Sequence, residues 1–310
     1  MQWHPTASLA ALTERARLLQ QIRQFFAQRQ VLEVETPLAG DYGVTDPYIE
    51  SLQLADGRWL QSSPEYFMKR LLAAGAGDIY QVCKAFRKEQ QGRLHSTEFT
   101  LLEWYRLGFD QWALMAEVAD LIERLLGYRH FEHISYRTLF QEYLGFDPHR
   151  ASLEQLKFEA RQHINIDMPR ASVDDWLNLL LSHLIEPELK KRGPLFVYDF
   201  PPSQAVLARI SEDDSGQPVA ARFELYIHGI ELANGFHELA DAGLQRSRFA
   251  EDNHQRQAMG LHAMPVDELF LAALQHGLPD CAGVAIGLDR LLMLKLGQRH
   301  ISQVLAFGHH

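Results

Sequence analysis

Three carboxylates at a regular spacing are the first sign of chemistry in this sequence. Glu224, Glu231 and Glu238 recur every seven residues among apolar neighbours in the segment 222–239. Burying an ionised carboxylate without a partner is expensive, so each of the three must face water or a cation. A hard metal ion or the ammonium group of a substrate would be such a partner. The alternative is that the spacing is a coincidence of solvent-facing positions.

Two predicted strands carry charged residues that could contact a ligand. Arg87 lies at the end of the first strand, and Glu103 and Tyr105 share the apolar face of the second because alternate residues of a strand point the same way. An apolar face with isolated charges is typical of a pocket floor. A half-exposed hairpin with surface charges explains the same pattern equally well.

Glycine positions indicate which kind of anion site to expect. The segment Gly75-Ala76-Gly77 has the spacing of neither a dinucleotide fingerprint nor a P-loop, and a helix end followed by a turn explains it. Gly283 and Gly287 instead flank a strand end where a ligand can approach closely. Arg290 follows in the first turn of a helix, where the helix dipole disfavours a cation unless an anion is bound there too.

The elements that must position these residues are predicted to form hairpins rather than alternating strand–helix units. Helices are predicted at 9–29, 65–75, 114–126, 245–260 and 288–296, and strands at 31–36, 78–89, 97–107, 196–200, 222–231 and 283–287. Asn234-Gly235 is predicted as the turn after the strand ending at Glu231. Residues around 145–195 are predicted to form a mainly helical insertion. This order favours an α+β fold, an antiparallel sheet flanked by helices.

The composition argues against several classes of protein. The 310 residues have a net charge of −10, which makes nucleic acid a poor first guess for the partner. The only cysteines, Cys83 and Cys281, exclude a disulfide framework and a cysteine-based zinc site. No secretory signal and no apolar run long enough to span a bilayer is visible, so a cytoplasmic protein without a membrane partner is expected.

Three motifs, in the order that the family shows, resemble the class II aminoacyl-tRNA synthetases. Residues 25–37, ending Val-Glu-Thr-Pro, resemble motif 1, residues 86–99 resemble motif 2, and residues 287–290, Gly-Leu-Asp-Arg, resemble motif 3. Ser-Pro-Glu at 63–65 and the segments 98–105 and 229–239 resemble the lysine subgroup. The resemblance extends over almost the whole chain and implies a single class II catalytic domain over residues 1–310.

Within this family the sequence is most similar to a group of paralogues. Lysyl-tRNA synthetases have an oligonucleotide-binding (OB) anticodon-binding barrel of roughly a hundred residues before motif 1, which is expected to be absent here. Phe-Pro-Pro-Ser-Gln-Ala at 200–205 and Ala285 resemble the elongation factor P lysine ligases. That resemblance implies ATP-dependent activation of (R)-β-lysine or lysine as an adenylate, and its transfer to a lysine of elongation factor P, with no tRNA. Lys88 and Ser96-Thr97 depart from the usual Asn and Asn-Pro of motif 2.

The resemblance also implies roles for individual residues. Arg87 would bridge the α-phosphate and the substrate carboxylate, and Arg290 would hold the γ-phosphate, which makes these two the catalytic pair. The implied ATP-binding residues are Arg87, Lys88, Glu89 (at the adenine amino group), Ser96, Glu231, Leu232, Gly287 and Arg290, and Glu224 with Glu231 would hold Mg²⁺. The implied substrate-binding residues are Ser63, Pro64, Glu65, Tyr105, Glu238 and Ala285. Among these, Glu65 would contact the amino group near the carboxylate, while Glu238 and Tyr105 would clamp the distal ammonium.

A homodimer is expected through motif 1, because Phe25, Phe26, Val31 and Val34 are more apolar than an exposed helix–strand corner should be.

Two alternative functions stay open. One is a minimal lysyl-tRNA synthetase that charges tRNA, against which the net acidity counts. The other is an inactive regulatory paralogue, against which the retained arginines and carboxylates count.

Overall fold

One sheet contains most of the strands in the computed structural model, which describes residues 3–88, 92–166, 168 and 171–308. The strands are β1 (Leu32–Glu33), β2 (Ala39–Gly40), β3 (Trp59–Leu60), β4 (Ile79–Phe86), β5 (Glu98–Leu107), β6 (Glu132–Ser135), β7 (Leu195–Phe200), β8 (Ile210–Glu212), β9 (Pro218–Ile227), β10 (Ile230–His237) and β11 (Cys281–Gly287). Their order in the sheet is β1-β4-β5-β11-β10-β9-β7-β6, with β8 beside β9. Strands β2 and β3 form a separate pair.

Helices pack on both faces of this sheet. They are α1 (Leu9–Gln28), α2 (Glu65–Ala73), α3 (Gln111–Leu126), α4 (Tyr136–Leu144), α5 (Leu153–His163), α6 (Val173–Leu180), α7 (Glu186–Leu189), α8 (Ala242–Ala258), α9 (Glu268–Gly277) and α10 (Leu288–Leu296). A π-helical turn, Leu181–Ile185, joins α6 to α7. The predicted helical insertion therefore consists of α5 to α7. Among the described residues, no helix is both long enough and apolar enough to cross a membrane.

The sheet pairings confirm the predicted α+β class. Every strand contact along the main sheet is antiparallel except β1 with β4 and β6 with β7. The hairpin of β4 and β5 was predicted, and it pairs Cys83 with Leu101 and Ala85 with Phe99. Strand β11 then pairs with β5 on one side and β10 on the other, which places motif 2 and motif 3 side by side.

Alternation along the central strands separates the core of the protein from its open face. Ala282, Val284 and Ile286 of β11 point into a buried apolar cluster with residues of α1, α3 and α10. The intervening residues of the same strand, among them Gly283 and Ala285, line a large cavity. Because successive strand residues face opposite ways, the apolar positions of the central strands fix which polar residues reach the cavity.

The second hairpin corrects one prediction. The predicted strand 222–231 and its Asn-Gly turn are wrong, because β9 ends at Ile227 and the turn is His228-Gly229, with φ of 52° and 70°. Asn234 and Gly235 lie within β10. Gly235 is required there by packing rather than by a turn, since a Cβ atom would lie 2.7 Å from Cε1 of Phe223.

The reason given for a homodimer is also wrong. Phe25, Phe26 and Val31 are buried inside the subunit, where Phe26 stacks on Tyr80 with ring centroids 4.3 Å apart. Val34 is partly buried against a second apolar cluster. These side chains are apolar because they form the core of the subunit, so they carry no information about an interface.

Candidate functional site

A cavity of about 1160 Å³ opens on the face of the sheet away from α1, α3 and α10. Its walls are loop 40–49, the first turn of α2, loop 202–207 and one face of α8. Of the predicted site residues, those that line it are Ser63, Glu65, Arg87, Ser96, Tyr105, Glu224, Glu231, Leu232, Glu238, Ala285, Gly287 and Arg290. Residues far apart in sequence thus meet in one place, as the three motifs predicted.

Two of the predicted site residues that the structure describes, Pro64 and Lys88, do not line the cavity. Lys88 points away from it, and its ammonium lies 2.6 Å from Oε1 of Glu50 on the surface. Pro64 is the N-cap residue of α2, makes no side-chain capping hydrogen bond and takes no part in the wall. The hydroxyl of Ser63 accepts a hydrogen bond from the backbone N–H of Glu65 at 3.1 Å. Glu89 lies outside the described residues.

A cluster of buried charges forms one end of the cavity. Glu103 and Glu238 are almost fully buried, at 2% and 1% exposure, and Glu65 lies beside them. The ammonium of Lys69, on α2, lies 2.6 Å from Oε1 of Glu65 and 2.5 Å from Oε2 of Glu238. Tyr105 donates a hydrogen bond to Oε1 of Glu103 at 2.7 Å. The strand face of Glu103 and Tyr105 is therefore a pocket floor and not an exposed hairpin.

The charges in this cluster do not balance within the protein. Three carboxylates share the single ammonium of Lys69, so two negative charges are left over when all groups are ionised. Burial, followed by the charge of Glu65, raises the pKa of Glu103 to about 7. Burial also raises the pKa of Glu238, to about 8, although Lys69 counteracts part of that rise. Oε1 of Glu238 accepts no hydrogen bond from the described residues, so it can accept one from a ligand.

Arg87 stands at the cavity wall with much of its hydrogen-bonding capacity unused. Its guanidinium lies 5.2 Å above the ring of Phe99, and one Nη2–H donates a long hydrogen bond of 3.4 Å to the carbonyl of Ser62. The Nε–H is buried and has no acceptor among the described residues. A guanidinium held by an aromatic face with free donors is suited to bind an oxyanion.

Arg290 lies at the opposite end of the cavity from the charge cluster. It lies in the first turn of α10, as predicted, and Nη1 donates to the carbonyl of Glu231 at 2.8 Å. Nη2 lies 2.8 Å from Nε2 of His95, and Oε2 of Glu231 is 3.6 Å from Nη1. These contacts fix the orientation of the guanidinium between β10, which contains Glu231, and the β4–β5 loop of motif 2, which contains His95. His95 was not predicted to lie at the site.

Glu224 and Glu231 provide the oxygen atoms expected for a divalent cation. Tyr226 donates to Oε2 of Glu224 at 2.6 Å, and Nη2 of Arg222 lies 2.5 Å from the other oxygen. Burial raises the pKa of Glu224, Arg222 offsets part of that rise, and the charge of Glu231 adds to it. Burial and these two carboxylates raise the pKa of Glu186, from α7, to about 7. The acidic side chains thus repel one another and would gain from a cation.

This donor set fits Mg²⁺ together with phosphate oxygens. The described residues hold no group of three histidine, cysteine, aspartate or glutamate side chains arranged to bind a metal by themselves. Mg²⁺ is usually bound by one or two carboxylates while substrate phosphates and water complete its shell. Glu224 and Glu231 match that requirement.

The prediction from sequence missed two members of the charge cluster. Lys69 could have been found, because it stands four residues after Glu65 on a predicted helix, and such pairs face each other. Glu103 was placed with Tyr105 on the correct strand face, but it was not among the predicted substrate-binding residues, and the hydrogen bond between the two side chains was not predicted. Glu186 lies in the helical insertion, where the sequence shows no chemical pattern.

Comparison with known proteins agrees with this geometry. Residues 2–310 match the family described as tRNA synthetases class II (D, K and N). A protein of Avibacterium paragallinarum is 47% identical over 99% of this chain and 98% of its own length, and one of Pasteurella multocida is 46% identical over 99% and 97%. A protein of Haemophilus ducreyi is 47% identical over 99% and 96%. All three are named "Elongation factor P--(R)-beta-lysine ligase". The chain therefore belongs to the class II tRNA synthetases of the D, K and N group.

Proposed function

We propose that this chain is a cytoplasmic ligase that activates (R)-β-lysine with ATP and transfers it to a lysine side chain of elongation factor P. The names of the relatives support this reaction, and their similarity extends over nearly the full length of both chains. The two cysteines are free and buried, which is compatible with a reducing compartment.

The observation that carries the proposal is the charge balance of the buried cluster. In their ionised forms, Glu65, Glu103 and Glu238 leave two negative charges once Lys69 is counted. A diamino acid such as β-lysine or lysine has two ammonium groups, so its binding neutralises the cluster. A substrate with one ammonium would leave an uncompensated buried charge, which costs about 3–5 kcal/mol.

ATP would occupy the part of the cavity between the two arginines. Arg87 contacts the carbonyl of Ser62, and the next residue, Ser63, donates a hydrogen bond to Glu103 at 2.8 Å. Arg87 would therefore contact the substrate carboxylate and the α-phosphate beside the charge cluster, and Arg290 would neutralise the terminal phosphate. Glu224 and Glu231 would hold Mg²⁺, which supplies positive charge against the phosphate oxygens. Catalysis of this kind is mainly positioning and charge neutralisation.

The first step joins the substrate carboxylate to the α-phosphorus and releases pyrophosphate. In the second, the amine nitrogen of the acceptor lysine attacks the acyl carbon. A C–N bond forms, the bond from that carbon to the AMP oxygen breaks, and the acceptor nitrogen, which attacks as the neutral amine, releases one proton to solvent and keeps one hydrogen in the amide. The chain needs no thiol or hydroxyl nucleophile of its own, because the adenylate is already activated.

Pyrophosphate exchange with a panel of amino acids tests the proposal. We expect exchange with (R)-β-lysine and weaker or no exchange with analogues that lack the distal ammonium, such as the β-amino acid with a butyl side chain. Acyl transfer is then measured with elongation factor P and, separately, with tRNA. Exchange that needs no diamino acid, or acyl transfer to tRNA alone, would contradict the proposal.

We also propose a homodimer, now on different grounds. Leu32, on the edge strand β1 within motif 1, is 56% exposed, and an exposed apolar side chain on a sheet edge favours pairing. Light scattering at micromolar concentration should give twice the mass of the chain. A monomer would refute this part of the proposal without affecting the reaction.

A further inference from the structure

Lys69 is a buried ammonium for which the reaction described above gives no direct role. Its side chain is 1% exposed, on the face of α2 that also buries Met68 and Leu72. Its nitrogen lies 5.9 Å from the ring centroid of Phe270 on α9. A charged amine in such surroundings is costly unless carboxylates surround it.

Glu65 and Glu238 are those carboxylates, and they come from different elements. Glu65 is one helical turn before Lys69, at 2.6 Å, whereas Glu238 follows β10 and lies 2.5 Å away. Burial acts to lower the pKa of Lys69, but these two carboxylates outweigh burial and raise it above its ordinary value. Lys69 therefore stays charged and ties the helix to the sheet at the end of the cavity.

We propose that Lys69 is a positioning residue that favours the ionised form of Glu238 and orients its carboxylate, so that the free oxygen of Glu238 can bind the ammonium of the substrate. The inference rests on the proposed function, since it concerns how the diamino acid is held. Lys69 does not touch the substrate in this arrangement. It acts on Glu238, the carboxylate that binds the substrate ammonium, by favouring its ionised form.

The other groups around Glu238 do not favour its ionisation, so its charge depends strongly on Lys69. Glu65 on α2 and Glu103 on β5 both carry like charge and oppose its ionisation. Tyr105 is neutral, since burial and the nearby carboxylates raise its pKa well above its ordinary value. The Cys281 thiol of β11 is likewise neutral, because burial raises its pKa to about 12.

Arg209 approaches the backbone of Glu238 and not its carboxylate. It donates to the backbone carbonyl at 3.2 Å, and its guanidinium also pairs with Asp280. Among the described residues, Lys69 is thus the only cation in an ion pair with the carboxylate of Glu238.

Replacing Lys69 should therefore change the protonation of the pocket. In Lys69→Gln the carboxylates lose their shared cation, so Glu238, whose pKa burial already raises to about 8, holds its proton to still higher pH and is ionised in a smaller fraction of molecules. A neutral carboxylic acid binds an ammonium poorly. We expect the KM for (R)-β-lysine to rise by about 10²–10³-fold, the equivalent of a buried charge pair. The KM for ATP should change little.

The decisive measurement is the pH profile of kcat/KM for (R)-β-lysine by pyrophosphate exchange, with thermal unfolding measured in parallel. Lys69→Gln should move the rise of this profile to higher pH by at least about one unit. A merely structural role would lower the melting temperature and kcat without moving the profile. Lys84→Gln is the matched control, because Lys84 also pairs with a glutamate, Glu98 at 3.1 Å, but on the exposed surface.

Lys69→Arg keeps the charge and provides a second test. Its profile should match that of the wild type even if its larger side chain lowers kcat. An unmoved profile in a folded Lys69→Gln overturns the inference. If Lys69→Gln does not fold, a Lys69→Arg profile displaced from that of the wild type overturns it, and a coincident profile supports it. Wild-type protein that activates no diamino acid would instead refute the proposed function.

Discussion

Gly283 permits the closest approach in the amino-acid pocket, and its replacement by alanine should be damaging. An added Cβ would lie 2.5 Å from Cδ1 of Tyr105 and 2.6 Å from Oε1 of Glu238. Both distances are far below the contact distance of carbon with carbon or oxygen. Since β11 is a central strand, paired on both sides, its backbone cannot retreat and the two side chains must move instead.

The size of the effect follows from these distances. An ordinary van der Waals contact needs about 3.5 Å, so the Tyr105 ring must retreat by ~1 Å in a packed core. Overpacking of this kind costs about 1–3 kcal/mol of stability. A displacement of ~1 Å at residues that position a substrate can cost about 10²-fold in rate. We expect Gly283→Ala to lose at least this factor in kcat/KM for (R)-β-lysine, with ATP affinity nearly unchanged.

Gly287→Ala is the matched stability control, since it lies on the same strand and the same face. A Cβ there would meet nothing closer than Cδ of Arg290 at 3.8 Å, an ordinary contact. Its free energy of unfolding should stay within about 0.5 kcal/mol of the wild type. The reasoning is refuted if chemical denaturation and pyrophosphate exchange show Gly283→Ala to be as stable and as active as the wild type.

Three further predictions concern the same cavity. Arg87→Ala should lower pyrophosphate exchange by about 10²–10³-fold without unfolding the protein, because Arg87 acts where charge develops; near-normal exchange would remove it from the mechanism. Ala285→Gly removes a methyl group from the pocket floor and should change the ratio of exchange rates for α- and β-lysine; an unchanged ratio would show that Ala285 does not contribute to selectivity. Affinity for (R)-β-lysine should rise with pH as Glu103 and Glu238, whose pKa values are raised to about 7 and 8, lose their protons. Since only ionised carboxylates bind ammonium, an affinity that falls between pH 6.5 and 8.5 would contradict this assignment.

The sequence correctly predicted the elements that are marked by a long periodic pattern or by a motif within the element itself. Helix α1 was expected at 9–29 and is Leu9–Gln28, and the strand before motif 3 ends at Gly287 as predicted. The hairpin of β9 and β10 was misplaced because Asn-Gly is a strong turn signal. Here the packing of Phe223 against Gly235 places Asn234 and Gly235 within β10 and not in the turn. That contact joins two strands whose pairing is not visible in the sequence.

The site was predicted by its motifs, but its balance of charge was not. Glu238 was expected to bind the ammonium of a substrate, and the structure shows that it also pairs with Lys69. This pairing depends on how α2 packs beside β10, which spacing along the chain does not encode. The same limit applied to Phe25 and Phe26, whose apolar character indicates burial but not whether a core or a partner buries them.

Mass spectrometry of elongation factor P tests the central claim most directly. The factor is incubated with this protein, ATP, Mg²⁺ and either (R)-β-lysine or α-lysine, and its intact mass and modified residue are determined. We expect one added β-lysyl group on a lysine side chain, dependent on ATP, and absent when Arg87→Ala replaces the wild type. Elongation factor P that stays unmodified, while pyrophosphate exchange with (R)-β-lysine proceeds, would contradict the claim that this chain is a ligase for that protein.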